Sequence, residues 1–214
     1  LSYYDDFEQV NMKKGNWLVL ARTKFMLSDL EDTLYSQGLY YQNKFKTNRE
    51  QDLYTAVNDW ENLRKGVDIN YDQISRISSY MSEKHFEKNC LKYMDKDARH
   101  TMQSLRERMW LKTNDVWYNA FDNAPQKKVR YIRRMRENGE KLNSAPRITL
   151  STIHGVKGGE QDNVVLLTDL SRNTQRNYEQ NPDDENRLFY VGATRTKNHL
   201  HIIRPKDIYK GYKI

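Results

Sequence analysis

Residues 151–167 read STIHGVKGGEQDNVVLL and place several reactive or ligand-binding side chains directly before an apolar run. His154, Lys157 and Glu160 supply an imidazole, an ammonium group and a carboxylate. The backbone can approach a ligand closely at the three glycines between and beside them, Gly155, Gly158 and Gly159. The other interpretation is a glycine-rich turn with solvated charges before a buried strand. This stretch alone leaves both interpretations open.

A metal site is a further chemical possibility, because histidine is a common zinc ligand. No partner stands at ligand spacing from His154, and the single cysteine of the chain, Cys90, is distant in the sequence. We therefore expect no metal site. One cysteine also excludes a disulfide framework, which favours a reducing compartment, and we expect a cytoplasmic protein.

The composition favours an anionic partner. Lysine and arginine number 36 against 29 acidic residues, which gives a formal charge of +7 over 214 residues. Such a balance is typical of proteins that bind nucleic acid, although many basic proteins do not. No apolar run approaches the roughly 18 residues that span a bilayer, and no secretory signal is present. Because the chain begins at Leu1, we interpret it as a fragment or a processed chain.

Strands and helices alternate at both ends of the chain. Near the start, WLVLA predicts a buried strand, the leucines of MLSDLEDTLYSQG predict a helix that ends at Gly38, and LYYQNKF is a second strand candidate. Near the end, RITLSTI, DNVVLLTDL and HLHII predict strands. RNTQRNYEQNP is interpreted as a polar loop, and DDENRLFYVGATRT as a helix with Asp183 as its N-cap.

The middle of the chain lacks strand-like runs. Short polar helices are predicted near 71–82, 96–112, 114–121 and 126–138. The strand–helix units at the two ends therefore predict one discontinuous α/β domain, formed by 1–66 and 146–214, because short parallel strands need partners from both segments. Residues 67–145 form an inserted helical block.

Three segments together resemble the late motifs of the UvrD/Rep/PcrA family of superfamily-1 DNA helicases. ITLSTIHGVKGGEQDNVVLL resembles motif V, of the form T-I-H-x-x-K-G-L-E followed by an apolar strand. ENRLFYVGATRTKNHL resembles motif VI, of the form R-L-x-Y-V-x-x-T-R. VLARTKFMLSDLEDTLYSQGLYYQNKFKTNREQDLYTAVNDW resembles motif IV and its sequel, a strand ending in arginine, then a helix, a strand and a phenylalanine shortly before an Arg-Glu pair. The resemblance covers about 16–60 and 146–204.

The resemblance implies a fold and a function. The fold would be a RecA-like, P-loop-NTPase-type parallel sheet of the family's 2A type, with the helical block at the position of its 2B subdomain. The function would be that of the second motor domain of an ATP-dependent DNA helicase or translocase. The alternatives are a non-catalytic, helicase-like nucleic-acid-binding module and a subunit of a helicase–nuclease complex.

The resemblance also assigns nucleotide contacts. Arg195 corresponds to the motif VI arginine and Arg22 to the motif IV arginine, both of which reach the γ-phosphate of ATP. Glu160 corresponds to the acid that accepts from the ribose hydroxyls. Gly158 and Gly159 bring the backbone near the nucleotide, although the family usually has leucine at position 159. Solvated surface charges are the alternative for each ionic side chain.

DNA contacts are expected in two places. Within motif V, the resemblance assigns Thr152, His154 and Lys157 to the face that meets single-stranded DNA. In the helical block, 127–141 holds seven lysines or arginines against two acids. This run predicts contact with the backbone of single-stranded or partly duplex DNA, and a solvated helix face is the alternative. The candidate side chains of this run are Lys127, Arg130, Arg133 and Arg134.

The sequence lacks the phosphate-cradling half of such a motor. No glycine is followed by lysine, so a loop of the form G-x-x-x-x-G-K-[ST] is absent. Asp184 and Glu185 follow a proline and a polar loop, which indicates a helix start better than a metal-binding pair. We therefore expect ATP and Mg²⁺ to be shared with an N-terminal RecA-like domain of the same polypeptide, and the isolated chain to be inactive as an ATPase.

Overall fold

The computed structural model describes residues 1–46, 51–156, 158–207 and 209–214. The chain divides into two compact units. Leu1–Asn48 and Ala145–Ile214 form the first, which we call the sheet unit, and Arg49–Ser144 form the second, the helical unit.

The described residues of the sheet unit form six strands, all parallel, in the order β1-β6-β5-β2-β4-β3. This sheet confirms the predicted α/β class, and its strands come from both ends of the chain. The sequence analysis missed β1, which has three residues. The strands are β1 Ser2–Tyr4, β2 Trp17–Ala21, β3 Tyr41–Asn43, β4 Ile148–Thr152, β5 Gln161–Leu167 and β6 Thr196–Ile203.

Eight α-helices occur among the described residues. They are α1 Met26–Gln37, α2 Gln51–Arg64, α3 Tyr71–Ser79, α4 Met102–Glu107, α5 Trp117–Ala120, α6 Gln126–Glu137, α7 Arg172–Gln180 and α8 Pro182–Ala193. The helix predicted near 96–112 is shorter than expected, since only 102–107 are α-helical. No described helix has both the length and the apolar character needed to cross a membrane.

Both faces of the sheet are buried, as the continuous apolar strands predict. Val19 of β2 belongs to a core with Leu27 and Leu34 of α1. Leu18 and Leu20, which point to the other face, belong to a core with Phe189 of α8. The alternation along β2 therefore places α1 on one side of the sheet and α8 on the other.

Two predictions near the end of the chain were wrong. The expected polar loop is α7, whose N-cap Ser171 accepts a hydrogen bond from the backbone N–H of Thr174. Only Thr174 of this helix is buried, so the sequence shows no apolar stripe. The second error concerns α8, which begins at Pro182 after N-cap Asn181, and Asp183 lies in its first turn.

The boundary of the helical unit also differs from the expected one. The sequence analysis assigned residues up to 66 to the sheet domain, but α2 packs inside the helical unit. Its Asp59 accepts hydrogen bonds from Gln73 at 2.7 Å and Arg76 at 2.6 Å. The indole N–H of Trp60 donates to the carbonyl of Asp115 at 3.1 Å. These partners lie on or beside α3 and α5, which explains the position of α2.

Candidate functional site

The motif V segment connects the two sides of the sheet at which the parallel strands end and begin. We call these sides the carboxyl edge and the amino edge. Thr152, the last residue of β4, pairs in register with Ala21 at the carboxyl end of β2. Gln161 begins β5 and pairs with Thr196 at the amino end of β6. The residues between them therefore run from the carboxyl edge back to the amino edge, and the candidate side chains divide between two places.

At the amino edge, the structure brings Glu160 and Arg195 together. The backbone N–H of Gln161 donates to the carbonyl of Arg195 at 3.0 Å, so the two chain segments are adjacent. Gly158 has φ +70°, a conformation that strains any other residue. Glu160 is exposed and has no partner within the described part of the chain. We call Gly158, Gly159, Glu160 and Arg195 the amino-edge cluster.

The last turn of α8 orients the guanidinium of Arg195. Its Nε donates to the carbonyl of Val191 at 3.1 Å, and Nη2 lies 3.4 Å from the hydroxyl of Thr194. The side chain is half-buried, and no carboxylate of the described residues pairs with it. An oriented cation with remaining N–H donors can bind an anion such as phosphate.

A close approach between helix and sheet sets the position of this arginine. A Cβ on Gly192 would lie 3.1 Å from Cδ1 of Leu166 and 3.3 Å from Cγ2 of Ile153. A larger residue would therefore push the end of α8 away from β5. Gly192 is three residues before Arg195, so this packing fixes the base of the arginine side chain.

Gly159 stands where the family usually has leucine, and its surroundings explain how the change is accommodated. A Cβ at this position would lie 3.1 Å from Cγ2 of Val156. Val156 is 1% exposed and packs in the core beneath the loop. The valine thus occupies the space that a side chain at 159 would otherwise need.

At the carboxyl edge, Arg22 is bound to Glu185 in a bidentate ion pair. Nε of Arg22 donates at 2.8 Å to one carboxylate oxygen and Nη2 donates at 2.7 Å to the other. The side chains are only 18% and 6% exposed. This pair joins the end of β2 to the first turn of α8, and the sequence analysis missed it because it considered Glu185 only as a helix start.

An open cleft of about 700 Å³ adjoins this ion pair. Polar and charged side chains dominate its lining, which suits a polar ligand better than an apolar one. The lining residues are Arg22, His154, Asn177, Gln180, Asn181, Asp184, Glu185, Arg187, Leu188 and Val191.

The structure does not bring Arg22 and Arg195 together. Arg22 is bound to Glu185 in the first turn of α8. Arg195 follows the other end of this helix, ten residues after Glu185, and ten residues of helix span about 15 Å. Arg22 uses Nε and Nη2 in its bond to Glu185, whereas Arg195 has no such carboxylate among the described residues.

The expected DNA contacts of motif V differ in their exposure. His154 is exposed and lines the cleft. Thr152 is buried, and its hydroxyl accepts a hydrogen bond from the N–H of Gly155 at 3.1 Å. Thr152 therefore stabilises the turn and is not available to a ligand directly. Lys157 lies outside the described residues.

The basic helix of the helical unit is α6. Its apolar side chains, among them Ile132 and Met135, are buried, and its candidate cations are exposed. The guanidinium of Arg133 stacks at 4.5 Å on the ring of Tyr118. The exposed cations from the sequence analysis, which share one side of the helix at helical spacing, are Lys127, Arg130, Arg133 and Arg134.

Among the described residues, no group of three or more histidine, cysteine, aspartate or glutamate side chains could hold a metal ion.

Comparison with known proteins gives one family. The model of the UvrD-like helicase C-terminal domain matches residues 2–207, nearly the whole chain. No curated protein matches the sequence.

The buried ion pair leads to a prediction about stability. Glu185→Ala leaves the Arg22 guanidinium without its partner, and we expect the sheet unit to lose about 3 kcal/mol of unfolding free energy. Asp5→Ala is the matched control, because Asp5 pairs with Arg204 at 2.9 Å while both side chains are largely exposed. The control should lose less than about 1 kcal/mol. Urea unfolding curves give both values, and equal losses would contradict the structural importance of the buried pair.

Proposed function

Because the chain belongs to the family of UvrD-like helicase C-terminal domains, we propose that its amino-edge cluster binds ATP and its carboxyl edge binds single-stranded DNA. The observation that carries this proposal is the oriented guanidinium of Arg195, beside Glu160 and without a carboxylate partner among the described residues. The domain would act as the second motor domain of an ATP-dependent DNA helicase.

The chemistry of the amino-edge cluster suits a nucleoside triphosphate. Negative charge on the transferring phosphoryl group is stabilised by a guanidinium that is already in position. Arg195 supplies this cation, and the carboxylate of Glu160 can accept hydrogen bonds from ribose hydroxyls. Gly158 and Gly159 carry no side chain that would keep the backbone from the nucleotide.

We propose a different role for Arg22 from the one that the resemblance implies. Its bidentate bond to Glu185 holds the first turn of α8 against β2. Arg22 thus positions the helix that carries Arg195, and it contacts no phosphate on the same nucleotide.

The remaining parts of the reaction belong to the partner domain. A loop that cradles the β- and γ-phosphates and the ligands of Mg²⁺ would come from an N-terminal RecA-like domain of the same polypeptide. No residue of this chain is assigned to the Mg²⁺ ion. Arg195 would complete the site only when the two domains close on ATP.

Charge at the carboxyl edge supports a DNA path over β2, β4 and β3. Arg22 and Lys24 follow β2, His154 follows β4, and Lys44 and Lys46 follow β3. The other half of the edge is rich in acids, namely Asp5, Asp6, Glu8, Asp29 and Asp169. Ion pairs involve two residues of each set: Arg22 and Lys46 in the basic half, and Asp5 and Asp29 in the acidic half. A polyanionic strand is attracted to the first half and repelled from the second.

Arg195→Ala tests the nucleotide assignment in the protein that joins this chain to its P-loop domain. We expect ATP turnover to fall by about 10³-fold or more, because the transition-state cation is lost, while DNA binding stays unchanged. The matched control is Lys197→Ala, an exposed cation two residues away. The 214-residue chain alone should hydrolyse no ATP. Wild-type turnover in the Arg195 variant would contradict the role of this arginine. DNA-stimulated turnover by the chain alone would contradict an ATP site shared with a second motor domain.

Salt dependence tests the DNA contacts of the chain alone. Three to five phosphate contacts predict a slope of roughly −2 to −3.5 for log K against log salt, and a Kd of about 10⁻⁴ to 10⁻⁶ M. Reversing Arg130, Arg133 and Arg134 to glutamate should weaken binding and make the slope shallower.

Fluorescence anisotropy at several salt concentrations measures both quantities. Lys65, Lys84 and Lys92, changed together to glutamate, form the control, because they are exposed cations of the same unit outside α6 and their reversal alters the net charge equally. If both triple variants lose the same affinity, net charge alone explains the effect and α6 is not a DNA contact.

A further inference from the structure

An exposed aromatic ring stands at the basic half of the carboxyl edge. Phe45 follows β3 and is 38% exposed, although phenylalanine is more often buried. It faces the motif V turn, since a Cβ on Gly155 would lie 3.0 Å from Cζ of the ring. In the sequence it is the phenylalanine that ends the second predicted strand, and no contact was predicted for it.

The ring is held by its surroundings. The backbone N–H of Phe45 donates to the side chain of Asn43 at 3.0 Å, and the N–H of Lys44 donates to the carbonyl of Leu150 at 3.1 Å. These bonds fix the turn after β3 against β4. The backbone that carries the ring is therefore held in place, which lowers the conformational entropy that a stacking ligand has to overcome.

A cation lies over the ring. Nζ of Lys24 is 4.3 Å from the ring centroid, a distance typical of a cation–π interaction. The ammonium group thus lies against one face of the ring, and the exposed His154 is close by on the motif V loop. A nucleotide offers the matching pair of groups, because its base stacks on an aromatic face and its phosphate binds a cation.

We propose that Phe45 is a stacking platform for one base of a single strand, with Lys24 bound to a neighbouring phosphate. The proposal rests on the proposed DNA contact at the carboxyl edge and adds a base contact to it. Stacking tolerates any base, so the platform would hold the strand without reading its sequence. A side chain at Gly155 would press on the ring of Phe45 and on the hydroxyl of Ser151, so glycine at this position leaves room for both.

A second exposed aromatic supplies the matched control. Phe25 is 64% exposed and lines the cleft that contains Asp5, Asp6, Glu8 and Asp29. It offers a similar ring on the acidic half of the same edge, where a polyanion is repelled. Phe25→Ala should therefore leave DNA affinity unchanged.

The test compares Phe45→Ala with Phe25→Ala at low salt, using an oligo(dT) strand and an abasic strand of equal length. Stacking predicts that Phe45→Ala weakens oligo(dT) binding by about 5- to 100-fold and abasic binding by less than about twofold. Phe45→Trp should keep the affinity and respond to oligo(dT) with a change in indole fluorescence. Circular dichroism checks that each variant is folded.

Each other outcome has a distinct meaning. An equal loss on both strands shows that Phe45 only shapes the phosphate-binding loop, which overturns the platform. Unchanged oligo(dT) binding in Phe45→Ala, while His154→Ala and Lys24→Ala weaken it, overturns the platform but leaves the DNA contact of this edge. If the wild-type chain binds neither strand, or if His154→Ala and Lys24→Ala also have no effect, the DNA contact at this edge fails together with the platform.

Discussion

The buried ion pair between Arg22 and Glu185 is the constraint on which the candidate sites depend. It fixes the first turn of α8 to the end of β2, deep enough that the carboxylate is only 6% exposed. Burying two charges is costly, and a well-packed apolar pair often gives equal stability. Its advantage is geometric, because a bidentate guanidinium–carboxylate bond allows one orientation of the helix. Gly192 then fixes the far end of the same helix against β5.

A helix fixed at both ends separates two kinds of chemistry. Arg195 and Glu160 stand at the amino edge of the sheet, and His154 and Phe45 stand at the carboxyl edge. The motif V segment is the second connection between these edges, since it begins after β4 and ends at β5. Under the proposed function, movement of either the helix or this segment would transmit the state of the nucleotide to the DNA path. Both connections, α8 and the motif V segment, are formed by residues of this chain.

Much of the sheet could be predicted from the sequence because its strands are short continuous apolar runs, which are typical of parallel sheets. The helix α7 could not, since a single buried residue gives no periodic signal. The boundary before α2 could not be predicted either. The apolar face of α2 could pack in either unit, and its partners, such as Asp115, are known only from the structure.

For the site, the sequence indicated which residues carry chemistry but not where they meet. Arg22 and Arg195 both belong to helicase-like motifs, yet one follows a strand and the other precedes one. In a parallel sheet these positions lie on opposite edges, so topology alone could have separated them. The pairing of Arg22 with Glu185 and the exposure of Phe45 needed the three-dimensional structure, because they join residues far apart in sequence.

The separation of nucleotide and DNA along α8 is the central claim, and photo-crosslinking of the protein that contains both motor domains tests it most directly. The probes are ATP with a photoreactive group on its γ-phosphate and a single strand containing 4-thiothymidine. Peptide mapping is predicted to find the ATP label on residues around Glu160 and Arg195, and the strand label around Phe45 and His154. An ATP label at Arg22 and His154, with the strand at Arg195, would contradict the account.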